Sequence, residues 1–171
     1  MAITLKSPIH LHKLKETLVL TLLGVVMYVS QVLMASLPNI ELVSFLIIIV
    51  ARKFGIKSFL SVYIFVGLEI LTYGLQIWSI CYLYVWAILA LVVCAIREVD
   101  NRIVYTLISG IFGFLFGTLC SVPYFFIGGI GYGISWILSG IGFDFVHGVG
   151  NVLLTFLLFG PITKALEKAL Q

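Results

Sequence analysis

Asp144, His147 and Asn151 fall in the run GFDFVHGVGN at 142–151, three and then four residues apart. On a helix that spacing puts all three on one stripe. An acid, an imidazole and an amide in line can bind a ligand, hold a metal, pass a proton or fasten one helix to another. Their neighbours are almost all apolar, and an acid carried into a bilayer costs about 2.5–3.5 kcal/mol. Such groups must be paired or must line a wet cavity. Asn151 lies deepest and also suits a plain interhelical hydrogen bond.

Other residue types widen the choice. PNIE at 38–41 reads as a helix start, with Asn39 as N-cap and Glu41 in the first turn. Glu41 is therefore either a helix-start residue or a ligand contact. Glu69 interrupts a long apolar run. Trp78, Tyr82, Tyr84 and Trp86 cluster in one segment, and Tyr124, Tyr132 and Trp136 in another. Rings of this kind can wall a pocket for a planar ligand.

Several chemistries fit poorly. One His beside carboxylates, without an HxxxH or a Cys pair, is a weak metal set, and no metal ligand or cofactor is assigned. A proton relay needs titratable groups strung across the membrane, and the inner halves of the segments nearly lack them. GIKS at 55–58 has neither the upstream glycine nor the GK pair of a phosphate-binding loop. No GxSxG nucleophile motif occurs. No catalytic residue is assigned and the chain is read as no enzyme; an intramembrane enzyme using Asp144 and His147 is a minor alternative. Cys81, Cys94 and Cys120 fit no ligand or redox spacing. They read as small buried hydrophobes, and Cys81 and Cys94 sit too far apart on one helix to bridge.

The elements that position these residues follow from composition. Of 171 residues, 62% are hydrophobic and 10% charged, against about 25% charged in soluble domains. The expectation is an all-α polytopic membrane protein, a single domain over 1–171. Residues 17–35 lie behind a basic head as in a signal peptide, but they outrun its apolar core of about 7–15 residues. They read as the first span. Spans are expected near 17–36, 40–51, 58–76, 80–96, 103–122 and 143–160, since a crossing takes about 20 apolar residues. The second is short and needs Arg52 and Lys53 to snorkel or the helix to run past them. The stretch 124–142 follows Pro123 and holds six glycines, at 128, 129, 131, 133, 140 and 142. It reads as a loop with one short helix at most, able to move as a lid.

The ten basic residues form four clusters: Lys6/Lys13/Lys15, Arg52/Lys53/Lys57, Arg97/Arg102 and Lys164/Lys168. Six spans put every cluster on one face, whereas seven would send the last pair across. The excess of cations on cytoplasmic faces therefore favours six spans with both termini cytoplasmic. It also accounts for the net charge of +3 without a nucleic-acid partner. On that topology Asp144 and His147 lie in the outer half of the sixth helix. Glu69 is about 17 Å along the third, past its midpoint. Glu41 and Gln31 lie near the outer ends of the second and first. The polar groups and rings converge on an outward-facing cavity. Gly110, Gly113 and Gly117 on the fifth helix permit close approach of a neighbouring helix.

LPNIELVSFLIII at 37–49, YLYVW at 82–86, SVPYFFIGG at 121–129 and FDFVHGVGNVLLTFLLFGP at 143–161 occur in an order that resembles the S-components of energy-coupling factor (ECF) vitamin transporters. The resemblance spans most of the chain. It implies a six-helix substrate-binding subunit of an ABC-type importer in a bacterial cytoplasmic membrane, with the lipid bilayer as its surroundings. Its partners would be a transmembrane coupling subunit and two cytoplasmic ATPases. A vitamin would bind near the outer face and be released inward when the subunit topples. Glu41, Glu69, Trp78, Tyr82, Tyr84, Trp86, Tyr124, Trp136, Asp144, His147 and Asn151 are the expected contacts. The sequence is most similar to S-components assigned to cobalamin; pyridoxine, pantothenate, folate and queuosine precursors stay open. Family members carry AxxxA on the first helix for the coupling subunit. ETLVLTLLG here offers Thr17, Thr21 and Gly24 instead. A membrane scaffold whose polar stripe only joins helices is the alternative from another class.

Overall fold

The computed structural model describes residues 8–170, with side chains from residue 13 onward; Lys6 of the first basic cluster lies outside them. The described residues form helices joined by short connections, with no strand among them: α1 (Pro8–Leu33), α2 (Val43–Phe54), a 3-10 turn (Gly55–Ser58), α3 (Phe59–Tyr73), α4 (Ile77–Ala95), α5 (Arg102–Cys120) and α6 (Val122–Ala169). Five helical stretches are long and apolar enough to cross a membrane: Lys13–Leu33, Val43–Tyr73, Ile77–Ala95, Arg102–Cys120 and Val122–Ala169. The second joins α2 and α3 across the turn.

That turn reverses the chain. At the start of α2, Glu41 reaches His147; at its end, Arg52 bonds Asp100 at 2.7 Å. α3 then runs alongside α1: Ser61 donates to the Leu20 carbonyl, and Thr72 meets the Tyr28 hydroxyl further along. Gly55 makes the reversal at φ 58°, a backbone shape that costs a side chain about 1–2 kcal/mol. α2 is apolar on most of its circumference until Arg52 and Lys53 at its end, which suits a central position. Val43, Phe45, Ile47, Ile48, Val50 and Ala51 are all sealed in the core.

The helix boundaries differ from hydropathy at informative places. α1 ends at Leu33, not 36, because Leu37 precedes Pro38 and is biased away from helical geometry. Asn39 is not the N-cap of α2. It adopts φ 56°, the helix starts at Val43, and the Glu41 carboxylate accepts from the Ser44 N–H at 2.9 Å.

The largest correction concerns 124–142, which is helix and not loop. α6 breaks once, at Gly129 (φ 76°, ψ −174°), and residues 130–169 continue as one helix containing Pro161. The short arm before Gly129 folds back on the long arm. Tyr124 stacks on Trp136 at 3.7 Å, and a Cβ on Gly133 would strike the Phe125 ring. In apolar surroundings backbone groups must bond within their own segment, which holds even a glycine-rich stretch helical. Gly133 lets the arms touch.

Below this hairpin α5 and α6 pack backbone to backbone. A Cβ on Gly113 would lie 2.7 Å from the Gly148 Cα, and one on Gly110 would meet Val152. The glycine spacing of α5 thus serves contact within the chain.

Candidate functional site

The described cations gather at one end of the bundle. Lys57 bonds Glu16 at 2.6 Å, Arg52 bonds Asp100, and Arg102 lies over the Phe156 ring at 4.4 Å. Lys15 and Lys53 share a surface recess with Ala169 and Leu170, so the end of α6 returns to this side.

At the other end α1, the turn after it, α3 and α4 border an open cavity of about 360 Å³ lined by Gln31, Ala35, Glu69, Tyr73, Trp78 and Tyr82. Glu69 and Tyr73 are four apart on α3, and Trp78 and Tyr82 four apart on α4, so each pair shares a helix face. The α3–α4 connection aims them. Gly74 turns the chain at φ 81°, and Gln76 and Ser79 form a reciprocal capping box that starts α4. The Trp78 indole N–H donates to Gln76 Oε1 at 3.1 Å, which orients the ring. Glu69 is 3% exposed, and its Oε1 has no hydrogen-bond partner among the described residues; neither has Gln31 Oε1.

From the cavity an aromatic row descends into the core. Tyr73 meets Trp78 at 6.0 Å, Trp78 meets Tyr82 at 5.2 Å, and Tyr82 meets Trp86 at 5.3 Å, all edge to face. Trp86 continues to Phe116, whose ring lies 4.8 Å from His147. His147 Nε2 is 3.0 Å from Glu41 Oε1, with both side chains buried. The acid that caps α2 is therefore also the partner of the α6 imidazole.

The expected contact residues thus divide. Glu69, Trp78 and Tyr82 line one cavity. Trp86 is 1% exposed and packed among Phe65, Phe112 and Phe116, beneath the cavity and not on its wall. Tyr84 points to α5, where its hydroxyl donates to the Leu119 carbonyl at 2.7 Å. Tyr124 and Trp136 pair with each other in the hairpin. Asp144 Oδ1 accepts from the Gly117 N–H at 2.8 Å, a contact open only because Gly117 lacks a Cβ. Asn151 donates to the Ser109 carbonyl at 3.2 Å, and Thr155 bonds the Ser109 hydroxyl. The stripe of Asp144, His147 and Asn151 exists, but Asp144 and Asn151 are tied to the α5 backbone and His147 to Glu41 before α2.

Ala35 and Tyr73 join the cavity without having been singled out, and Gln31 joins it from the outer end of α1. For Tyr73 the i, i+4 relation to Glu69 was a usable signal. Ala35 offered none. Cys81, remote from Cys120 in sequence, donates its thiol to the Cys120 carbonyl at 3.1 Å. On α1, Thr17 and Thr21 bond back to the carbonyls four residues earlier. Gly24 faces inward, where a Cβ would lie 2.6 Å from the Ser61 carbonyl. It is a contact between α1 and α3, not part of an outer face with Thr17 and Thr21.

Comparison with models of known families, with curated proteins and with solved structures returns no match.

Proposed function

We propose that the chain is the substrate-binding membrane subunit of an ECF-type importer, with the α1/α3/α4 cavity as its nutrient site. On this reading α1 to α6 make six crossings, with both termini and the cation-bearing end in the cytoplasm of a bacterial cell. The cavity opens at the other end, where a nutrient arrives. The observation that carries the reading is Glu69, a buried carboxylate on a ring-walled cavity that no Lys or Arg lines, with one buried oxygen left without a partner among the described residues. Energy would come from a coupling subunit and two ATPases, and delivery from toppling of the docked subunit. The exposed part of α1 around Thr17 and Thr21 is the docking face.

The resemblance points first to cobalamin. The cavity, near the low end of the roughly 300–1,000 Å³ common for ligand sites, suits a smaller ring, and a corrinoid would require it to open. The test is titration of the detergent-purified chain with cobalamin, pyridoxine, pantothenate, folate and a queuosine precursor, followed by tryptophan fluorescence. Mass spectrometry of molecules co-purified from native membranes accompanies it. A saturable change is expected, because Trp78 lines the cavity. Silence across the panel together with an empty co-purified fraction overturns the proposal in favour of a scaffold, which the interhelical bonds of Asp144, Asn151 and the Glu41–His147 pair also suit.

A further inference from the structure

We infer that the α1/α3/α4 cavity selects a small organic cation bearing a planar ring, with Glu69 as its counter-ion. It rests on the substrate-binding reading and narrows it.

The three buried acids of the membrane-embedded part are treated differently by the fold. Glu41 is bonded by the Ser44 N–H and by His147. Asp144 is bonded by the Gly117 N–H. Glu69, the least exposed of the three at 3%, keeps Oε1 without a partner among the described residues. A carboxylate in apolar surroundings must be satisfied by a proton, a donor or a cation. No Lys or Arg lines the cavity. A cationic ligand supplies the missing charge and lets the acid stay ionised, whereas an anion would be repelled and a neutral ring would require the acid to take up a proton.

The walls favour the same class. Tyr73, Trp78 and Tyr82 stand edge to face along one side of the cavity. The electron-rich face of an aromatic ring attracts a cation, tryptophan most strongly, and the same rings pack against a planar ligand. The unpartnered Gln31 Oε1 adds an acceptor for a ligand N–H. Counter-ion, rings and acceptor all recognise a protonated or quaternary ring nitrogen.

The test uses small probes that differ in charge, with 1-methylnicotinamide and nicotinamide as the pair matched in shape. 1-Methylnicotinamide and thiamine serve as cationic rings, nicotinamide as the neutral counterpart and pantothenate as an anion. Each is titrated into the full chain in lipid nanodiscs, with tryptophan fluorescence as readout. The cations should bind at least about tenfold tighter than nicotinamide, equivalent to about 1.4 kcal/mol, and pantothenate should not bind. Glu69→Gln should erase the cation preference while leaving the thermal unfolding midpoint near wild type. Trp78→Ala, on a half-buried side chain, should weaken the cations and keep the preference. The wild-type comparison decides even if Glu69→Gln fails to fold. Equal or tighter binding of nicotinamide or pantothenate overturns the charge selection and leaves the transport reading standing. No response to these probes, while cobalamin or folate binds, has the same consequence. No binding by any compound and no co-purified ligand overturns both.

Discussion

His147 and Glu41 meet in the interior, and among the described residues neither makes a second ion pair, although Asp144 lies one turn from His147 on α6. His147→Ala would strand the Glu41 carboxylate with only the Ser44 N–H, and breaking such a pair costs about 3 kcal/mol. The expected outcome is a thermal unfolding midpoint in detergent lowered by several degrees. An unchanged midpoint would show that the pair is not a structural tie. Phe116 separates His147 from the aromatic row, so ligand affinity per folded molecule should change less than under Glu69→Gln. At this scale the sequence showed which residues are polar in an apolar setting, and their helix faces, but not their partners. Glu69 and Asp144 look alike as isolated acids. Only the approach of the Gly117 backbone, set by the α5–α6 packing, distinguishes the bonded one from the free one.

The helices of this bundle are held at fixed separations by glycine. At Gly113 a Cβ would lie 2.7 Å from backbone Cα of Gly148. Gly113→Ala therefore forces α5 and α6 apart, at about 1–3 kcal/mol. Gly67 has nothing within 4 Å of its would-be Cβ, and Gly67→Ala is the matched control, expected to leave the unfolding midpoint near wild type. Thermal unfolding of both variants in one detergent checks the pair. Gly129 differs again, since its φ of 76° with ψ near 180° is open essentially to glycine alone. Gly129→Ala should loosen the hairpin and raise protease sensitivity near 129, with α5 and the long arm of α6 still protected. Glycine count alone misread this segment. Six glycines in 124–142 signalled a loop, yet the apolar residues among them are helix-competent, and only the one residue at positive φ makes the turn. On α1, Thr21→Leu should leave ligand binding unchanged and reduce uptake by cells carrying the whole transporter; normal uptake would move the docking face elsewhere.

For the molecule as a whole, the distribution of charge is what the sequence made most legible. The described members of all four basic clusters gather at one end of the bundle, and Glu69, the buried acid with an unpartnered oxygen among the described residues, lies at the other. Burial could not be read in the same way, because a membrane chain is apolar on both its lipid and its core faces. Trp86 and Trp78 are eight apart on α4, yet one is sealed in and the other lines the cavity. Sidedness is testable in cells. With Cys81, Cys94 and Cys120 replaced by alanine, Ser139→Cys should react with an impermeant maleimide from outside. Lys168→Cys should react only after permeabilisation. The reverse pattern would place the cavity on the cytoplasmic side and remove its access to an external nutrient.

The long arm of α6 runs from 130 to 169, about 60 Å at 1.5 Å per residue, roughly twice the thickness of the hydrocarbon layer. Such a rod is long enough to emerge at both surfaces at once. Any tilt of the bundle must swing its hairpin end and its lysine-bearing tail in opposite directions, so a pull on the tail registers at the far end without a relay of small rearrangements between.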